Sequence, residues 1–415
     1  MKNRKSLVVY ALLLALCVLL PVLGFFGVTA GKEFYAPAEG IIYLRAKVTE
    51  VMEVSYDYGE DGEVLSADTR FAARVTSRGE YRGKTLEAVQ NYSSFTPLNP
   101  REVKVGDSVI LGHFEGVEMW NFIDYVRSDV LIVLAVFFAV LLAVFGRKKG
   151  FKTILSLTLT LAAVFFVFIP AVILGYNIYL WSVIICLYMI VMTLTIVNGI
   201  SPMSLSASVG CMGGVLVSLA ITFLTDYFIK ITGNSDSHSI FLVYIGDGID
   251  IKALVYASII IGSVGAVMDV AVDISASLKE LAYKLRTPSF MELLRSGIRI
   301  GRDVIGTMSN TLVLAYIGGS MCSLLLYIYN NAATPVYLFN IESIVIEILK
   351  ILVGSIGILL TLPLTALVSA WLYTRPAMLR HILTEGQNGD TERESDSDAF
   401  SEELESAGSF DGTEK

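Results

Sequence analysis

Eight stretches of this chain, at about 7–28, 128–146, 153–174, 178–198, 204–224, 253–273, 304–329 and 345–373, are each apolar for some twenty residues. That is the length an α-helix needs to cross roughly 30 Å of hydrocarbon. The expected fold class is therefore an α-helical polytopic membrane protein with about eight transmembrane helices. Composition agrees: 54% of the 415 residues are hydrophobic and 17% charged, against about 45–50% and about 25% in soluble domains. The net charge of -8 misleads, because residues 385–415 hold 11 Asp and Glu against only Arg393 and Lys415. The rest of the chain stands near +1, so no basic surface for nucleic acid is expected. Cys17, Cys186, Cys211 and Cys322 all lie in apolar runs, and His113, His238 and His381 are far apart in sequence. Neither a disulfide framework, a metal site nor a cofactor is expected.

Lys and Arg in short loops set orientation. They gather at Lys2, Arg4 and Lys5, at Arg147, Lys148, Lys149 and Lys152, at Lys279, Lys284, Arg286, Arg295, Arg299 and Arg302, and at Arg375 and Arg380. The alternate loops hold only Lys230 and Lys252. Both termini are thus expected in the cytoplasm and residues 32–127 outside. Residues 1–31 read as an N-terminal transmembrane anchor. A signal-like reading competes, since Val28-Thr29-Ala30 resembles a cleavage site, but the apolar run exceeds the usual 7–15 or so residues.

Residues 32–127 change period. Ile42, Leu44, Ala46 and Val48 alternate with polar neighbours, as do Phe71, Ala73 and Val75, which is the pattern of strands with one buried face. A third run covers Thr85 to Val89, and a fourth follows Val105-Gly106-Asp107. Such short strands predict a small β-barrel, OB-like or SH3-like. Residues 128–384 then form a seven-helix transmembrane domain, and 385–415 read as a disordered acidic cytoplasmic tail.

Polar residues inside the spans carry the chemistry. Ser258, Gly262, Gly265, Ala266, Asp269, Asp273, Ala276 and Glu280 share one stripe of the sixth span, opposite Ile260, Val264, Val267, Ile274 and Leu278. Small residues permit close helix approach, and membrane carboxylates normally face protein or water. The stripe is therefore expected to point into the bundle, with Asp269 near the cytoplasmic boundary of the hydrocarbon core. Asp303, Thr307 and Asn310 share a face of the seventh span, with Thr311 beside it, and are expected to meet that stripe. Asp269, Asp273, Asp303, Thr307 and Asn310 are the candidate ion or proton pathway; the competing reading is a structural polar cluster. Gly262 and Gly265, and the pair Gly210 and Gly214, are candidates for helix packing. Ser289-Phe290-Met291-Glu292 forms a capping box. It opens an amphipathic helix near 289–301 whose Arg295, Arg299 and Arg302 are expected to lie on the anionic inner leaflet. Glu347 and Lys350, three apart, suit an internal ion pair.

The run Gly262-Ser263-Val264-Gly265-Ala266-Val267-Met268-Asp269-Val270-Ala271 resembles the central signature of the YibE/F family. So does Gly301-Arg302-Asp303-Val304-Ile305-Gly306-Thr307-Met308-Ser309-Asn310-Thr311-Leu312, and Gly354-Ser355-Ile356-Gly357 with Leu362-Pro363-Leu364-Thr365 fits as well. The resemblance implies a bacterial multipass protein of the plasma membrane whose biochemical function is not established. It brings no substrate and no catalytic residues. Three functions compete: a secondary transporter or channel for a small solute or ion, a scaffold or sensor whose β-domain binds a partner, and an intramembrane aspartyl protease. Ile245-Gly246-Asp247-Gly248 lacks the Gly-x-Gly-Asp pattern, and no phosphate loop or nucleophile elbow appears, so no enzyme is expected. Partners are the lipid bilayer and, beyond it, a second copy of the chain or another membrane protein.

Overall fold

A computed structural model describes residues 2–29, 41–58, 64–93, 101–114, 116, 117, 119–233, 242, 249–331, 334–384 and 387. The acidic tail beyond Gln387 and the run Ile245–Gly248 lie outside the described residues. The chain divides into two compact units, residues 32–146 and residues 1–31 with 147–415.

The smaller unit is built on five strands: β1 (Ile41–Tyr58), β2 (Val64–Val75), β3 (Thr85–Ser93), β4 (Ser108–Phe114) and β5 (Trp120–Tyr125). They close in the order β1-β2-β3-β5-β4, with β1 antiparallel to both β2 and β4 and β3 parallel to β5. Of the two small barrels expected, this is the five-stranded ordering of the OB type. Alternation works as it should from Leu44 onward: Leu44, Ala46, Val48, Phe71, Ala73, Val75, Val109 and Leu111 fill the core, whereas Ile42 is exposed. The fourth strand leaves its turn at Gly106, whose φ of 95° suits glycine. β5 was not expected, because Trp120-Asn121-Phe122-Ile123-Asp124-Tyr125 has no strict two-residue period. The Gln90 amide donates to the Arg101 carbonyl at 3.2 Å and accepts from Val103 N–H at 3.0 Å. That pair of bonds ties the approach to β4 onto the barrel.

The helices are α1 (Lys2–Thr29), α2 (Ser128–Ala163), α3 (Ile169–Ile173), α4 (Ile178–Asn198), α5 (Pro202–Ile229), α6 (Ile251–Leu285), α7 (Phe290–Gly319), α8 (Met321–Asn331), α9 (Pro335–Leu338) and α10 (Glu342–Tyr373). Side chains cap several of them as the sequence dictates: Asn177, Ser201, Asp250 and Ser289 accept from Leu180, Ser204, Ala253 and Glu292 N–H. α2 is interrupted at Arg147 (φ 46°, ψ -130°) and passes through a π-turn, Val164–Phe168, into α3. Pro170 just beyond has no N–H to donate back into that turn.

Among the described residues five helices are long and apolar enough to span a membrane, or six if the bent pair α7 and α8, 66° apart, is one span. The sequence expectation was eight. Two of its segments, 128–146 and 153–174, belong to one apolar stretch, Ser128–Ile173, broken at Arg147. The apolar part of α1 whose side chains are described is only Ala15–Thr29.

α1 packs against the bundle by a local consequence of its own sequence. Pro21 has no N–H, so the carbonyl four residues earlier, on Cys17, loses its helical donor. The Tyr188 hydroxyl of α4 donates to that carbonyl at 2.8 Å. Cys17 and Val28 are buried, and Gly24 rests on Val167. Tyr188→Phe should therefore lower stability by about 1–2 kcal/mol, the cost of an orphaned carbonyl, read as a lower melting temperature of the detergent-solubilised protein.

Candidate functional site

The centre of the bundle is the contact of α5, α6 and α10, and hydroxyls and glycines organise it. At three successive levels an added Cβ would collide with a hydroxyl oxygen: Gly210 with Thr365 Oγ1, Gly214 with Thr361 Oγ1, and Gly357 with Ser218 Oγ. This is small-residue packing, which lets helix backbones approach closely in a membrane. One end of the seam is a hydroxyl cluster. Ser206 Oγ lies 2.8 Å from Tyr373 Oη and 3.1 Å from Ser275 Oγ. Ser275 Oγ lies 3.3 Å from Ser369 Oγ, and Tyr373 Oη donates to the Ser275 carbonyl at 3.1 Å. All four residues are fully buried. Tyr373→Phe removes the shared donor and should cost about 1–2 kcal/mol, measurable by thermal unfolding in detergent. The Gly210 and Gly214 spacing was legible in the sequence. Its partners were not, because single Ser and Thr residues in apolar runs give no signal of their own.

The same contacts set depth. Val267 lies against Gly214, and the Cys211 thiol points to the Val267 carbonyl at 3.8 Å. Asp269, two residues on, is thus level with Gly210–Gly214 and Thr361–Thr365, about two thirds of the way along α10. Asp303 lies between Gly301, packed on Leu362, and Leu312, packed on Gly354.

The expected facing is reversed. α6 buries Ile260, Val264, Val267, Ile274 and Leu278, while Ser258, Gly262, Gly265, Asp269, Asp273 and Glu280 are exposed and Ala266 and Ala276 half-buried. On α7 the buried residues are Leu293, Gly297, Gly301 and Leu312; Asp303, Thr307, Asn310 and Thr311 are exposed. The two acidic faces therefore do not close on each other inside the bundle. Tyr316, whose hydroxyl stands over Gly262, joins α7 to the stripe, while Gly265 has open space above it. The physical reason is that the apolar side of α6 meets the hydroxyl and glycine surfaces of α5 and α10, which fit it closely. Among the described residues Asp269 has no hydrogen bond or ion pair, so it does not cap a neighbouring helix. Thr307 Oγ1 donates to its own helix, at the Val304 carbonyl, 2.8 Å away.

The helix expected near 289–301 is the first part of a longer one. Residues 290–319 are one continuous helix, packed lengthwise against α10 from Ala366 to Gly354. Its first half does not turn aside as a separate surface element. Arg295, Arg299 and Arg302 are exposed along it. Glu347 and Lys350 form the expected pair, at 2.7 Å. No group of three or more His, Cys, Asp or Glu suited to a metal ion occurs among the described residues.

The sequence profile of the family described as YibE/F-like protein matches residues 134–375, more than half of the chain. The chain belongs to the YibE/F family. The match covers every residue of the polar faces just described, and it stops short of the barrel. No curated protein and no solved structure matches the chain.

Proposed function

We propose that this YibE/F protein moves a small ion across the bacterial plasma membrane, with Asp269, Asp273 and Asp303 as its coupling groups. The observation that carries the reading is their level in the bundle: Asp269 and Asp303 stand beside the uncharged run of α10, Asp269 at Thr361–Thr365 and Asp303 between Leu362 and Gly354. Carboxylates at that level are costly and face water or protein. Transporter binding sites gather near the bilayer midplane for the same reason. Thr307 and Asn310, exposed on the face of Asp303, add neutral ligands to the pathway. The positive-inside distribution supports cytoplasmic termini and an external barrel. The chain has no catalytic role in this reading. Purified protein in sealed vesicles should dissipate an imposed proton or monovalent-cation gradient, followed with an entrapped dye. Vesicles no leakier than protein-free controls, under every gradient tried, would remove the proposal.

A second reading is favoured by one observation. The α5, α6 and α10 core is closed by hydroxyls and glycines in direct contact, and a scaffold or sensor needs no path through it. In that case the barrel is the partner-binding part, and capture of a specific partner by the barrel, without flux, would establish it.

A further inference from the structure

α10 has no charged residue from Ile351 to Thr374, between Lys350 and Arg375. That length of helix rises about 36 Å, enough for the hydrocarbon layer of about 30 Å. At its end Arg375 stacks on Trp371, 3.6 Å from the ring centroid, a pairing suited to the membrane–water boundary. The run therefore marks the embedded depth of the bundle.

α7 lies antiparallel along this run. Gly297 meets Ala366, Gly301 meets Leu362, and Leu312 meets Gly354, each so closely that an added Cβ would overlap its neighbour. Those three contacts fix both the depth of α7 and its rotation. They leave Glu292, Arg295, Arg299, Arg302, Asp303 and Asn310 exposed, level with the apolar part of α10. Among the described residues none of the three arginines has an ion-pair partner. Charged side chains held at such depth are strongly disfavoured against lipid, so something other than lipid covers this face.

We propose that the cover is the same face of a second copy of this chain, with the two α7 helices parallel about a two-fold axis along the membrane normal. The charge order supports it. Glu292, Arg295, Arg299 and Asp303 run acid, base, base, acid at spacings of three and four, so each acid lies one turn from a base. In a parallel pair, Arg299 of one copy reaches Asp303 of the other, and Arg295 reaches Glu292, as flanking charges do in paired helices. Gly306 has nothing within 4 Å of where a Cβ would stand, which allows the close approach such pairs need. Asn310 on the same face meets its counterpart, and a buried Asn pair fixes register. The interface takes Asp303 and Asn310 out of the proposed pathway and leaves its coupling to Asp269 and Asp273 on α6.

The test is cysteine cross-linking of the full chain in native membranes, after Cys17, Cys186, Cys211 and Cys322 are replaced by alanine. Single cysteines at Gly306, Asn310 and Leu314, oxidised with copper phenanthroline, should give covalent dimers at least fivefold more readily than at Ile305 and Met308 on the packed side. Absent or equal cross-linking overturns the proposal, including the case in which the same thiols react with a water-soluble maleimide and so line an open cavity. Native mass spectrometry of the chain with its own cysteines gives an independent reading. Dimers are expected; Arg299→Glu should shift them to monomer, and adding Asp303→Arg should restore them. A monomeric unmodified protein, or a swap that restores nothing, overturns it equally.

Discussion

Gly214→Leu is expected to lose most of the folded protein from the membrane, while Gly265→Leu, on the opposite side of the same small-residue bundle, leaves it unchanged. At Gly214 even a Cβ would collide with Thr361 Oγ1 and stand 3.0 Å from Val267 Cγ1. Thr361 cannot simply swing away, because its hydroxyl donates to the Gly357 carbonyl at 2.7 Å and it is fully buried. α5, α6 and α10 would have to separate. Overpacking a tight core costs about 1–3 kcal/mol and occasionally more, and three constrained helices place this site at the upper end. For a unit of this size that corresponds to a fall of roughly 5–10 °C in melting temperature, visible by fluorescence-detected size exclusion after heating. Gly265 has nothing within 4 Å of the added atom. Equal behaviour of the two variants would contradict the seam as the centre of the fold.

The second large effect concerns Asp269. Asp269→Asn should reduce ion flux at least tenfold in reconstituted vesicles, with abundance and melting temperature unchanged. The asparagine keeps the shape of the side chain but can neither release a proton nor neutralise a cation. Because Asp269 is exposed and has no hydrogen bond or ion pair among the described residues, its removal orphans nothing in the bundle. Asp269→Leu should therefore also fold, with a similar loss of flux. A leucine variant that is depleted from the membrane would instead point to a structural partner, and an asparagine variant with full flux would exclude Asp269 from coupling.

How much of this was readable beforehand differs from element to element. Barrel strands β1 to β4 were legible because a sheet with one wet face writes its burial into every second residue. The facing of Asp269 was not, because a stripe of small residues with carboxylates reads as an inward face while the structure buries Val264, Val267 and Ile274 on the other side. Likewise, Arg295, Arg299 and Arg302 read as a surface helix because charge in sequence suggests water, yet Gly297 and Gly301 bind that segment to α10.

The sequence by itself determined that the chain is built of membrane-length helices around one small β-rich insertion, that a helix opens at the Ser289 capping box, and that it belongs with YibE/F proteins. Only the tertiary structure decided which face of each helix is inside. In water an apolar stripe points to the core, because burial itself is favourable. In lipid the surroundings are as apolar as leucine, so that rule has no force, and the inside is chosen by fit. On α6 the better fit is the Val264, Val267 and Ile274 side, against glycines and hydroxyls contributed by two helices far away in sequence. The acidic stripe is left on the outside because no local pattern records where Thr361, Thr365 and Tyr373 will stand.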